Sequence, residues 1–220
     1  MKESTSREKI LKKIRNALLT ESENPYPNVD HEKPIYHEIT ESLDLTFAEE
    51  FIKVAGKFVY CENENEFLSS LKMLIKKNTW KPPFCIDKKI KCLLDAEDVL
   101  YTDKPEDFHN LKVGITRCEY LIARLGSAMV SSKHDSGRRL NFYPEIHIIL
   151  AYTSQLVPDL KDAFTGIKEK YASKLPSMIN VITGPSRTAD IEKTLVMGAH
   201  GPKDLYVFLV DDSNLSNGIM

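Results

Sequence analysis

The sequence has little of what marks the commonest nucleotide, metal and hydrolase chemistries. Its four cysteines, Cys61, Cys85, Cys92 and Cys118, contain no CxxC pair. No zinc knuckle or ferredoxin-type cluster therefore assembles from local spacing, no metal site is expected, and four scattered thiols suit a reducing compartment. GxGxxG, GxxxxGKS/T and GxSxG segments are missing, which removes the local signatures of dinucleotide binding, of a phosphate loop and of a nucleophile elbow. No apolar run approaches the ~18 residues of a membrane span, and the start MKESTSREK lacks the apolar core of a signal peptide, so a cytoplasmic protein without a transmembrane segment is expected. Charge of one sign is not in excess either. A formal net charge of −2 gives no field to attract a phosphate backbone, so a nucleic-acid partner is not expected.

What is present is an ordinary globular composition, 42% hydrophobic and 28% charged over 220 residues, enough for one sizeable domain with an appendage. Residues 1–45 read as that appendage. Thr5-Ser6-Arg7-Glu8 forms a capping box, Ile10, Leu11, Ile14 and Leu18 recur at helical spacing, and a proline-bearing polar linker follows. Residues 46–212 read as the main domain and 213–220 as a flexible tail. A capping box at Thr46–Glu49 starts a helix that Gly56 stops. Strands are expected at 57–61, 84–86, 112–116, 120–123, 145–151, 178–182 and 205–210, with helices after Asn63 and over 159–171. This alternation predicts an α/β fold in three α/β/α layers, with a mainly parallel sheet covered on both faces.

The segment richest in chemistry lies near the carboxyl terminus, where Gly184-Pro185-Ser186-Arg187-Thr188-Ala189-Asp190-Ile191-Glu192 is followed by Gly198-Ala199-His200-Gly201-Pro202. It sits between two apolar strands, and loops at the carboxyl ends of strands in open α/β sheets are where ligands bind. A Gly-Pro turn leading to a helix capped by Ser186 or Thr188 would favour an anion, reinforced by Arg187. The same residues also fit a well-capped helix whose Arg187 pairs with Asp190 or Glu192. His200, flanked by small residues, is the candidate for proton transfer. His147 reads as a core or sheet-face histidine. A second polar run, Ser131 to Arg139, has the make-up of a mobile surface loop in which Arg138 and Arg139 could clamp a carboxylate or phosphate.

These residues carry a likeness. The Gly184–Glu192 run, Leu195-Val196-Met197-Gly198-Ala199-His200-Gly201-Pro202 and the strand after it resemble the LUD-domain family, in particular its lactate utilization protein C group. Gly114-Ile115-Thr116, Ile122-Ala123, Gly126-Ser127 and Pro144-Glu145-Ile146-His147-Ile148 fall in the family's order, so the likeness covers about residues 47–210. One departure stands out. Where the family typically reads Ile-Ala-Glu-Thr-Gly-Thr, this chain has Ile122-Ala123-Arg124-Leu125-Gly126-Ser127. A role resting on that acidic residue is not carried over, and for a carboxylate nucleophile of the CoA-transfer kind Glu192 or Glu145 are the remaining substitutes.

The resemblance implies a fold similar to the ribose phosphate isomerase and CoA-transferase group, and participation in oxidation of L-lactate to pyruvate. With no cofactor motif of its own, the chain is expected to work beside iron–sulfur partner subunits. Its own contribution is then a pocket for a small organic acid or phosphorylated ligand, with His200 as the catalytic candidate. Gly126, Ser127, Arg138, Gly184, Ser186, Arg187, Thr188, Asp190 and Gly201 are the binding candidates. The alternatives are a stand-alone enzyme acting on a sugar phosphate or acyl-CoA, and a non-catalytic assembly subunit.

Overall fold

Strict alternation of apolar side chains sets the central sheet. In the computed structural model, which describes residues 5–19, 27, 36–104, 111–188, 196–198 and 200–213, four parallel strands pair in the order β1 (Lys57–Cys61), β10 (Asp204–Val210), β5 (Ile146–Tyr152), β2 (Val113–Arg117). Ile146, Ile148 and Leu150 of β5 and Tyr206, Phe208 and Val210 of β10 face one way. They bury Phe67, Leu68 and Leu71 of α3 (Glu64–Lys77) and Ile90 and Leu94 of α4 (Lys88–Ala96). Intervening residues Ile149, Ala151, Leu205, Val207 and Leu209 point the other way, onto Phe47 and Phe51 of α2 (Leu43–Lys53). The two-residue period of a strand therefore fills two cores at once, as parallel strands buried on both faces require.

Beyond that second face lies a smaller sheet, ordered β6 (Leu156–Val157), β3 (Tyr120–Ile122), β4 (Ser127–Ser131), β7 (Ile179–Ile182). Leu121, Ala128 and Val130 pack toward the central sheet, while Ile122 and Met129 bury Ala163 and Ile167 of α5 (Leu160–Tyr171). A two-stranded ribbon, β8 (Arg187–Thr188) with β9 (Val196–Met197), completes the strands among the described residues. The architecture is the expected α/β fold with a mainly parallel sheet, one cover of which includes a second sheet backed by α5.

The chain divides into two units, residues 1–38 and 39–220. In the first, α1 (Ser6–Leu19) begins with the expected capping box: the Thr5 amide donates to Glu8 Oε2 (2.8 Å) and the Glu8 amide to Thr5 Oγ1 (3.4 Å). The expected tail, from residue 214 onward, lies outside the described residues.

Several local expectations need correction. The α2 helix starts at Leu43, so Thr46 is inside it, its hydroxyl donating back to the Ser42 carbonyl (3.0 Å). Its stop uses Ala55 at φ 65°, and Gly56 is needed because a Cβ there would overlap the Phe51 ring. Residues 84–86 form only isolated bridges at Phe84. The α4 helix had no expectation, yet Asp87 caps it, accepting from the amides of Lys89 (3.0 Å) and Ile90 (3.3 Å). The polar run at 131–139 is not a mobile surface loop throughout: Ser131, His134 and Ser136 are buried.

Candidate functional site

The carboxyl-terminal segment does not leave a parallel strand. Its preceding strand, β7, is an edge of the smaller sheet and antiparallel to β4, and the segment returns through Pro202 into the amino end of β10. Ser186 caps no helix, because Arg187 and Thr188 form a strand; the Thr188 side chain and Asp190 lie outside the described residues. The Ser186 amide donates to the Pro202 carbonyl (2.8 Å) and the Gly198 amide to the Ser186 carbonyl (2.9 Å).

The other candidates divide between two places. Gly126, Gly184 and Arg187 gather at the carboxyl end of α2, where a Cβ on Gly126 would overlap the Phe51 backbone and one on Gly184 the Val54 carbonyl. Arg187 donates to that same Val54 carbonyl, placing a cation where the helix dipole is negative. Nearby, buried Ser127 donates to the Leu125 carbonyl (3.0 Å) and shares a hydrogen bond with Thr183 (2.8 Å). His200 and Gly201 line a separate cavity of about 490 Å³ with Phe142, Tyr143, Glu145 and Lys203, at the amino ends of β5 and β10. Arg187 is not among its lining residues. Arg138 is elsewhere again, bonded to the Ser177 hydroxyl (2.6 Å). The departure residue Arg124 is tied to the α5 cap, its Nε 2.9 Å from Asp159 Oδ2. Buried His147 meets the Thr116 hydroxyl at 2.8 Å, and burial lowers its pKa to about 3.

A larger crevice, about 700 Å³, opens at the opposite, carboxyl end of the central sheet, where the topology of α/β sheets puts ligands. Arg117 ends β2 and Tyr152 ends β5, and both line it with Lys89 and Cys92 of α4, Glu64 of α3 and Lys170 of α5. Its two main cations are anchored from behind. Arg117 Nε and Nη2 each lie 2.9 Å from Oδ2 of Asp87, whose side chain is wholly buried. Lys170 Nζ is 2.8 Å from Oε2 of Glu119, also wholly buried.

Glu119 is the hub of this wall. Its Oε1 accepts from Ser131 (2.5 Å) and Tyr171 (2.8 Å) and lies 3.3 Å from His134 Nε2, while His134 Nδ1 is 3.2 Å from the Arg117 carbonyl. Burial alone would raise the pKa of this carboxyl, but the contacts from His134, Lys170 and Ser131 outweigh it and hold it well below the usual range. Elsewhere in the lining the Tyr152 hydroxyl donates to Glu64 Oε1 (2.6 Å), and Asp212 takes both hydroxyls of Thr153 (2.7 Å) and Ser154 (2.5 Å). Burial, then Glu64, push the Tyr152 pKa up, and so keep the phenol protonated.

Apart from Cys92, noted as one of the four thiols, none of the crevice residues was singled out from the sequence. A signal existed for two of them: Arg117 and Tyr152 directly follow apolar parallel strands. For Lys170 there was none, since its partner Glu119 is 51 residues away.

A LUD domain profile matches residues 46–210. Lactate utilization protein C of Anoxybacillus flavithermus is 35% identical over 129 residues, 56% of this chain and 57% of that protein. Lactate utilization protein C of Bacillus subtilis is 40% identical over 102 residues, 46% and 42% of the two chains. An uncharacterized Neisseria meningitidis protein is 36% identical over 115 residues, 52% and 49%. The matches span about half the length of these relatives. The crystal structure of a DUF162 family protein from Deinococcus radiodurans superposes with a TM-score of 0.56 at 16% identity, over 76% of this chain and 96% of that one, and so shares the fold. With three quarters of its length under one domain profile, the chain belongs to the LUD domain family.

Proposed function

We propose that the chain is a cytoplasmic subunit of a system that oxidises L-lactate to pyruvate, that it holds the small acid, and that iron–sulfur partner subunits take the electrons. Relatives named lactate utilization protein C support the pathway. The observation that carries the acid-binding role is the crevice wall in which two buried carboxylates, Asp87 and Glu119, fix Arg117 and Lys170 at the carboxyl end of the sheet. Burying a carboxylate is costly, and here that cost goes into holding a guanidinium and an ammonium in place before a ligand arrives. The guanidinium keeps donors beyond the two committed to Asp87, enough for a carboxylate. This favours the crevice over the cavity beside His200 as the place for the acid.

The test is growth on L-lactate. Deleting the gene abolishes it, the wild-type gene restores it, and Arg117→Met, expressed to the same level, does not. Full growth with Arg117→Met overturns the acid site; growth of the deletion strain overturns the pathway.

A second reading, a stand-alone enzyme for a phosphorylated or acyl-CoA ligand, is favoured by the size of the crevice. About 700 Å³ lies within the ~300–1,000 Å³ of drug-sized sites and exceeds what a three-carbon acid fills. Under the first reading the remaining volume admits a partner subunit or co-substrate. Thermal shifts of the isolated chain with sugar phosphates and CoA thioesters, against lactate, separate the two.

A further inference from the structure

We infer that Glu64 and Tyr152 read the hydroxyl of the bound acid, so that the crevice selects 2-hydroxy acids over their 2-oxo counterparts. This rests on the acid-binding reading above and adds the group that chooses the substrate. The crevice is polar in two senses. Lys89, Arg117 and Lys170 supply donors to the lining, and Glu64 and Tyr152 line the same space. In the β2 and β5 register Arg117 pairs with Leu150, so Tyr152 lies one pleat further along the same face. The two Cα positions are then roughly 8 Å apart, a gap that two long side chains and a three-carbon acid close.

The hydrogen-bond direction decides the preference. The Tyr152 proton is committed to Glu64 Oε1 at 2.6 Å, so the phenolic oxygen presents lone pairs to the crevice. A carboxylate has no proton to give, and one tyrosine leaves most of its lone-pair positions open. Both groups are acceptors. A 2-hydroxyl donates to them; a 2-oxo oxygen is itself an acceptor and meets lone pairs with lone pairs. With its carboxylate held by Arg117, a hydroxy acid satisfies donors and acceptors alike, whereas the oxo acid leaves the acceptors without a partner.

Cys92 provides the readout. It lines the crevice and is exposed, while Cys61, Cys85 and Cys118 are buried. Its alkylation by iodoacetamide in the full-length chain is slowed by whatever fills the crevice. L-lactate is expected to protect Cys92 at a concentration at least about fivefold below that needed of pyruvate or of propionate, which has no hydroxyl. Glu64→Gln, whose amide donates as well as accepts, brings lactate and pyruvate to within about twofold. Tyr152→Phe, which removes one of the two acceptors and keeps the carboxylate, narrows the preference for lactate without abolishing it. Equal protection by all three acids, unchanged by Glu64→Gln, overturns the inference and leaves the acid site standing. No protection by any of them overturns the acid site itself. Should Glu64→Gln not fold, the ranking of the three acids on the wild-type chain decides the question.

Discussion

Glu119 is a carboxylate taken wholly out of water and given four partners in return: His134, Lys170, Ser131 and Tyr171. Replacing it by Gln leaves the shape and removes the charge that Lys170 and His134 face. Lys170 is half-exposed and can turn to solvent, so a loss of about 2 kcal/mol is expected, below the ~3–5 kcal/mol of a fully buried broken pair. Equilibrium denaturation at neutral pH measures it. Two buried groups also set the acid limit of stability. The folded pKa of Glu119 is depressed, so its contribution is complete above the unfolded value of about 4.3 and is lost as pH falls from there through the folded pKa. His147, buried and neutral, has a folded pKa near 3 against an unfolded value of about 6.5. The unfolded chain takes up that proton first, so stability is complete above pH 6.5 and falls as pH drops toward 3. Between pH 6.5 and 5 this amounts to about 2 kcal/mol. A denaturation series over pH 4–8 is expected to lose that slope in His147→Gln and keep it in Glu119→Gln. The opposite pattern would mean that burial of His147 does not govern the mild-acid range.

The elements explain which parts of the site the sequence revealed. Where one element carries its own pattern, the pattern was readable. Phe67, Leu68 and Leu71 at helical spacing marked α3, and the apolar residues of β5 and β10 marked buried strands. Where two elements meet, it was not. Gly126 and Gly184 were binding candidates, but what closely approaches each of them is the end of α2. Gly126 sits at φ 53° with the Phe51 backbone against it, so Gly126→Ala meets both left-handed strain and a backbone clash. A loss of about 2–4 kcal/mol is expected, read from the denaturant midpoint. A loss below about 1 kcal/mol would mean that α2 yields easily and that this glycine serves something other than packing. Arg187 was legible as a cation in a turn, but its acceptor, the Val54 carbonyl, is 133 residues away and left no trace in local spacing. The crevice was missed for the same reason. Its two anchored cations depend on pairs that only the packing of α4 and α5 against the strand ends brings together, and the rule that places ligands beyond parallel strands was applied to β7, which is an antiparallel edge strand.

At the scale of the whole molecule the cysteines report how the layers hold together. Cys61 and Cys85 belong to the core beneath α3 and α4, Cys118 to the core between the two sheets, and Cys92 stands on the outer face of α4 in the crevice. Burial lifts the Cys61 thiol to about 11 and those of Cys85 and Cys118 to about 12, so the three are shielded and protonated alike. A thiol reagent at pH 8 is expected to find one fast cysteine per chain in the native state and four in guanidinium chloride. The slow phase carries further information. If the central sheet and both its covers open as one unit, Cys61, Cys85 and Cys118 react together at a rate set by global unfolding. If the smaller sheet lifts from the central one by itself, Cys118 reacts ahead of the other two, while Cys92 keeps its native rate. A Cys118 that is slow together with its companions shows that the smaller sheet, on whose other face α5 packs, stays joined to the central sheet until the molecule unfolds as a whole.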